Sequence, residues 1–104
     1  MIVYNVTTKI DREVEEDWLQ WMQDKHIPDV LATGYFESYQ MFRIIKDEPD
    51  GSTYATQYHC KDMPSLHAYI SKCSAALKED HQKRYKDRYV CIRTLMETIE
   101  KPAQ

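Results

Sequence analysis

Five side chains carry most of the chemical potential of this sequence. His26 stands in DKHIPD, between Asp24 and Asp29. An imidazole with a carboxylate at hand titrates near neutral pH and can serve as a general base. The competing reading makes His26 the residue that finishes a helix, where a cation suits the dipole and the ring can bond the last free carbonyls. Arg43 in MFRII and Arg93 in CIRTL stand in alternating runs. Two guanidiniums on one surface would hold a carboxylate by forked hydrogen bonds. Asn5 in VYNVT and Gln57 in ATQYH add amide groups from two further runs. The set suits a small acidic molecule bound by Arg43, Gln57 and Arg93, with Asn5 or His26 closest to the reacting atoms.

Other residue types point elsewhere. Cys60, Cys73 and Cys91 are odd in number, far apart and outside any C-x-x-C pair, so reduced thiols are expected rather than a disulfide framework or a zinc site. No second histidine stands four residues from His26 and no carboxylate pair flanks it at ligand spacing, so neither metal nor cofactor is expected. Trp18 and Trp21 read as core and interface packing. The net charge is −3, without a Lys/Arg cluster beyond the HQKRYKDR run at 81–88, which gives no footprint for nucleic acid.

At 104 residues, with 42% apolar and 30% charged residues, the chain suits one domain with one core, expected over 1–100 with a disordered tail at 101–104. No apolar run reaches the length of a membrane span, and MIVYNVTTKID lacks the layout of a signal peptide, so a cytoplasmic protein is expected.

The elements that must position the five residues follow from periodicity. IVYNVTT (2–8) predicts a first strand. Asp11 should cap a helix whose stripe is Val14, Trp18, Trp21, Met22 and Lys25, and Pro28 should stop it near His26. Asp29 should cap a short extra turn ending at Gly34 in the left-handed position. Strands are expected over 35–46 and 53–60, joined by DEPDGS, then a second helix opening near Asp62 and Pro64 with Leu66, Tyr69, Ile70, Cys73 and Leu77 inward. A last strand covers 88–99.

This β-α-β-β-α-β order predicts an α+β, ferredoxin-like domain: a four-stranded antiparallel sheet with both helices on one face. Parity then assigns the other face. Ile2, Tyr4, Val6, Phe42, Ile44, Val90, Ile92, Thr94 and Met96 are expected to meet the helices; the third strand is ambiguous, and Gln57 faces the other way if Tyr54, Thr56 and Tyr58 pack inward. Asn5, Arg43, Gln57 and Arg93 are then expected together on the open face, among Val3, Met41, Cys91 and Leu95. A bare, partly apolar sheet face calls for a cover, most simply a second copy of the chain.

The opening IVYNVT, the stretch WLQWMQDKHIPDVLATGYF, the FR of the second strand, TQY of the third and IRT of the last resemble a small bacterial family catalogued as a domain of unknown function, nearly end to end. By fold the chain resembles the dimeric α/β-barrel proteins, including antibiotic-biosynthesis monooxygenases, haem-degrading monooxygenases and EthD-like proteins, several of which share a W…H-x-P…G pattern. That resemblance implies two units packed sheet to sheet. For haem degradation it implies an Asn on the first strand, matched by Asn5, and a His on the second helix, matched by His67 or His81. The tryptophan near the third strand has no match, which argues against haem chemistry.

Two functions are therefore expected. The first is a homodimer that binds a small acidic metabolite on the open sheet face, with monooxygenase- or isomerase-like chemistry. The alternative is a non-catalytic structural or regulatory dimer. Neither nucleic acid nor membrane is an expected partner.

Overall fold

A computed structural model describes residues 1–102. Lys101 and Pro102 carry no regular structure, and the rest of the tail expected at 101–104 lies outside the described residues. Strands β1 (Ile2–Asp11), β2 (Ser38–Ile44), β3 (Gly51–Cys60) and β4 (Tyr89–Glu97) form one antiparallel sheet in the order β2-β3-β1-β4. Between β1 and β2 runs α1 (Arg12–Trp21), a π-helical turn (Met22–His26) and α2 (Ile27–Ala32). Between β3 and β4 runs α3 (Met63–Tyr69), a second π-helical turn (Ile70–Ser74) and α4 (Ala75–Arg84). The expected ferredoxin-like arrangement is present, each helical connection being one continuous rod with a widened turn inside it.

Central strands and helices meet over an aromatic core. Tyr4, Phe36, Tyr58 and Tyr69 cluster with ring centroids 4.7 to 6.3 Å apart. Trp18, Ile10, Leu66 and Cys60 have no exposed surface, and each large apolar side chain so buried contributes about 1.5–3 kcal/mol. Gly51 permits a close approach of β3 to β1, since a Cβ there would lie 2.2 Å from the Ile10 carbonyl oxygen. Gly34 takes φ +85° immediately after the rod, as expected for a glycine that ends a helix.

Several local expectations are corrected. Pro28 does not stop the helix near His26; the rod continues to Ala32. The π-helical turn explains this, because the Ile27 N–H bonds the Met22 carbonyl, and the widened backbone passes the ring of a residue that has no N–H to donate. His26 therefore lies inside a rod rather than at its end. Asp11 gives no side-chain cap and instead accepts from Arg88 Nε at 2.9 Å. Asp29 pairs with Lys25 instead of capping. Asp62 does cap the second rod, accepting from the Ser65 N–H at 2.9 Å. The second π-helical turn shifts the inward stripe, burying Ser74 and leaving Ile70 exposed.

The largest correction concerns the edge strands. Residues paired across a sheet share a face. The ladder Tyr39–Tyr58–Tyr4–Leu95 faces the helices, and so do Met41–Thr56–Val6–Arg93 and Arg43–Tyr54–Thr8–Cys91. The parity expected for β1 holds, and the ambiguous β3 turns Tyr54, Thr56 and Tyr58 inward. For β2 and β4 it is reversed: Phe42, Ile44, Val90, Ile92, Thr94 and Met96 face away from the helices, and Arg43 and Arg93 face toward them.

Candidate functional site

The polar quartet expected on one face is split by this register. Asn5 and Gln57 are direct partners on the open face. Arg43 and Arg93 are on the helix-side face, but on opposite edge strands. Three strand spacings of about 4.8 Å separate those edges by about 14 Å, and the two guanidiniums are engaged apart, Arg43 on Tyr54 and Arg93 on Tyr4. Arg43 packs over the Tyr54 ring, 5.4 Å from its centroid. Arg93 and His26 instead converge on a cavity between sheet and rods.

That cavity has a volume of about 40 Å³, room for about three waters. The sheet contributes Tyr4, Thr56, Tyr58 and Arg93; the rods contribute Met22, His26, Tyr69, Lys78 and His81. Arg93 is exposed at the edge strand. Its Nε donates to the Tyr4 hydroxyl oxygen at 3.1 Å and its Nη1 to Cys91 Sγ at 3.3 Å. The Tyr4 hydroxyl proton is thereby left free to donate. Both π-helical turns border the cavity, one supplying Met22 and His26, the other following Tyr69 directly. Such turns recur where a helix must present side chains off its normal phase.

Among the described residues the cavity's lining holds cationic and neutral groups and no carboxylate. Burial pushes His26 down to about 4, a change that Asp29 and Asp80 oppose and Arg93 and Lys25 reinforce. His26 stacks on Trp21 with centroids 5.1 Å apart, and its Nδ1 is buried without a hydrogen-bond partner. His81 is likewise lowered to about 4, by burial and then by His26 and Arg93. Trp18 Nε1 donates to His81 Nε2 at 2.9 Å. The phenols of Tyr58 and Tyr69 are pushed up by burial, so both keep their protons. At neutral pH the walls thus present neutral imidazoles, phenolic donors and the fixed charge of Arg93.

The sequence reading named His81 only through the resemblance to haem-degrading proteins, and it missed Tyr4 as a site residue. A signal for His81 was available: it stands four residues after Leu77 and so continues the inward stripe of the second rod. Tyr4 was assigned to the core, which is where it packs, but its hydroxyl reaches the cavity's edge.

On the open face, the sixteen positions paired across Val3–Lys9 contain one fixed charge, Lys9. One row is wholly polar and uncharged, Gln40–Gln57–Asn5–Thr94. Asn5 is only 7% exposed there, donates from Nδ2 to Thr7 Oγ1 at 2.9 Å, and leaves Oδ1 buried without a partner. Toward the edges Val90 and Ile92 are 68% and 70% exposed.

Comparison with known proteins places the chain. A family model described as a domain of unknown function matches residues 1–99. No curated protein is similar in sequence at a significant level. Among solved structures, an ethyl tert-butyl ether degradation (EthD) family protein from Bacillus halodurans superposes with TM-score 0.67 at 16% identity, over 95% of this chain and all of that one. An antibiotic biosynthesis monooxygenase gives 0.63 at 13% identity, over 96% and 100% of the two chains. A dimeric ferredoxin-like protein from an uncultured marine organism gives 0.67 at 11% identity, over 95% and 97%. At such identities the likeness is one of fold. Among the described residues no helix is long and apolar enough to cross a membrane.

Proposed function

The chain belongs to the family described as a domain of unknown function (DUF4286), and from its own geometry we propose a homodimer that binds a small acidic metabolite between sheet and helices. The observation that carries this reading is the convergence of Arg93, Tyr4 and His26 on one cavity whose lining contains no carboxylate among the described residues. Arg93 and the Tyr4 hydroxyl anchor the anionic group by charge-assisted hydrogen bonds. His26, neutral at pH 7, offers the proton acceptor, and an anion bound beside it raises its affinity for a proton. Proton transfer within a bound acid is the chemistry this arrangement serves, in an isomerase-like or cofactor-independent monooxygenase-like reaction. The likeness to the antibiotic biosynthesis monooxygenase supports that class at the level of fold.

The open face supports the second subunit. A surface with one fixed charge among sixteen positions, in a chain with 30% charged residues, resembles the charge-poor core of a subunit interface. Asn5 and Gln57 belong to that interface in this reading, and Arg43 stays with Tyr54. The likeness to a dimeric ferredoxin-like protein supports this pairing.

The narrowness of the cavity, about 40 Å³, favours one other reading, a structural or regulatory dimer without chemistry. Calorimetric titration with short carboxylic acids separates the two. Saturable binding that is lost in Arg93→Gln and kept in Arg43→Gln supports the acid site. Absence of binding by any of them leaves the structural dimer.

A further inference from the structure

His81 has no part in the reading above, yet its surroundings fix what it can do. Trp18 is fully buried, and an indole N–H only donates. Its hydrogen bond to His81 Nε2 at 2.9 Å therefore requires a lone pair on that nitrogen, and the neutral ring must carry its proton on Nδ1. The ring is held from several sides: Tyr89 meets it edge-on at 4.3 Å, with Tyr85 at 5.6 Å, and Trp21 and His26 both at 5.8 Å. Burial keeps it uncharged at neutral pH. His81 lines the cavity, and its ring adds a neutral N–H to the donors available beside Arg93 and the Tyr4 hydroxyl.

We propose that His81 Nδ1–H recognises a second oxygen of the ligand, so that the preferred ligand is a short 2-oxo or 2-hydroxy acid rather than a simple carboxylic acid. This rests on the reading of the cavity as an acid site and specifies its substrate class. The other polar groups on the wall point the same way. Lys78, Tyr58 and Tyr69 add donors, and no carboxylate among the described residues lines the cavity to receive an ammonium group, so an amino acid is disfavoured. A site built to hydrogen-bond a substrate oxygen discriminates strongly against the analogue that lacks it, because its own donor is then left unpaired. The volume of about 40 Å³ matches about three displaced waters, the bulk of a two- or three-carbon acid head.

The test uses three acids of equal carbon number, propionate, lactate and pyruvate, titrated calorimetrically into the wild-type protein and His81→Phe, which keeps an aromatic ring in the same packing. The expected result is binding of lactate or pyruvate at least tenfold tighter than propionate, with the preference abolished in His81→Phe while propionate affinity is retained. Equal affinity for all three overturns the assignment of His81 but leaves the acid site standing. Absence of binding by any of them overturns both. Because His81→Phe also removes the Trp18 acceptor and can fail to fold, ¹⁵N spectra of the wild-type histidine side chains provide a second readout. The His81 proton is expected on Nδ1 at pH 7 and should shift with lactate or pyruvate but not with propionate. A proton found on Nε2, or a response equal for all three acids, rules the proposal out.

Discussion

His26 and His81 show how burial decides what a titratable residue can be. Both sit against tryptophan and against each other, and burial is the first cause of the fall of each to about 4. Their ordinary value is 6.5, so the unfolded chain binds protons that the folded chain refuses. Stability is then complete above about pH 6.5 and is lost as the pH falls toward 4, by an amount on the order of a few kcal/mol for the pair together. Denaturant midpoints measured from pH 7 to pH 4 should fall over that window, and His26→Phe should flatten the fall; a midpoint constant across it contradicts the assigned burial. The residue types of the site were legible in the sequence. His26 and Arg93 could be singled out because an imidazole beside carboxylates and a guanidinium in an alternating strand are unusual enough to notice. His81 was harder to see, because its role depends on a tryptophan sixty-three residues away, and such pairings leave no local pattern.

The elements were read correctly in kind and order, and the errors lie in phase. A π-helical turn adds a residue to a turn and rotates all that follows, so a stripe counted at 3.6 residues misplaces Ile70, and the widened turn before Pro28 lets the first rod run past the point where a proline ordinarily ends a helix. Strand parity failed only in β2 and β4. The more apolar set of an alternating strand was taken as the core set, but in these edge strands the apolar set is turned to the open face. That inversion is expected wherever both faces of a sheet are destined for burial, since hydrophobicity then no longer says which face the helices cover. Two predictions belong at this scale. Gly51→Ala should destabilise severely, to the point of insoluble expression, because its Cβ would meet the Ile10 carbonyl oxygen of a central strand; soluble protein with an unchanged thermal midpoint would contradict the β1–β3 approach. Gly34→Ala meets no neighbouring atom, so its cost should be only that of φ +85°, about 1–2 kcal/mol by chemical denaturation.

At the scale of the molecule, the two sheet faces differ: one carries the core and the candidate acid site, the other the charge-poor surface proposed to receive a second copy. Ile92→Glu places a charge on that open surface without touching the core. The variant should sediment as a monomer at concentrations where the wild type sediments as a dimer, with the cavity side unchanged; a wild type that sediments as a monomer would contradict the interface. The division makes the location of ligand binding the central claim, and site-resolved NMR titration of the histidines with acetate tests it most directly. Acetate bound at Arg93 should shift the resonances of His26 and raise the pH at which it titrates, while His59 on the open face stays unmoved. A response confined to His59, or none at His26 up to saturating acetate, would contradict the account.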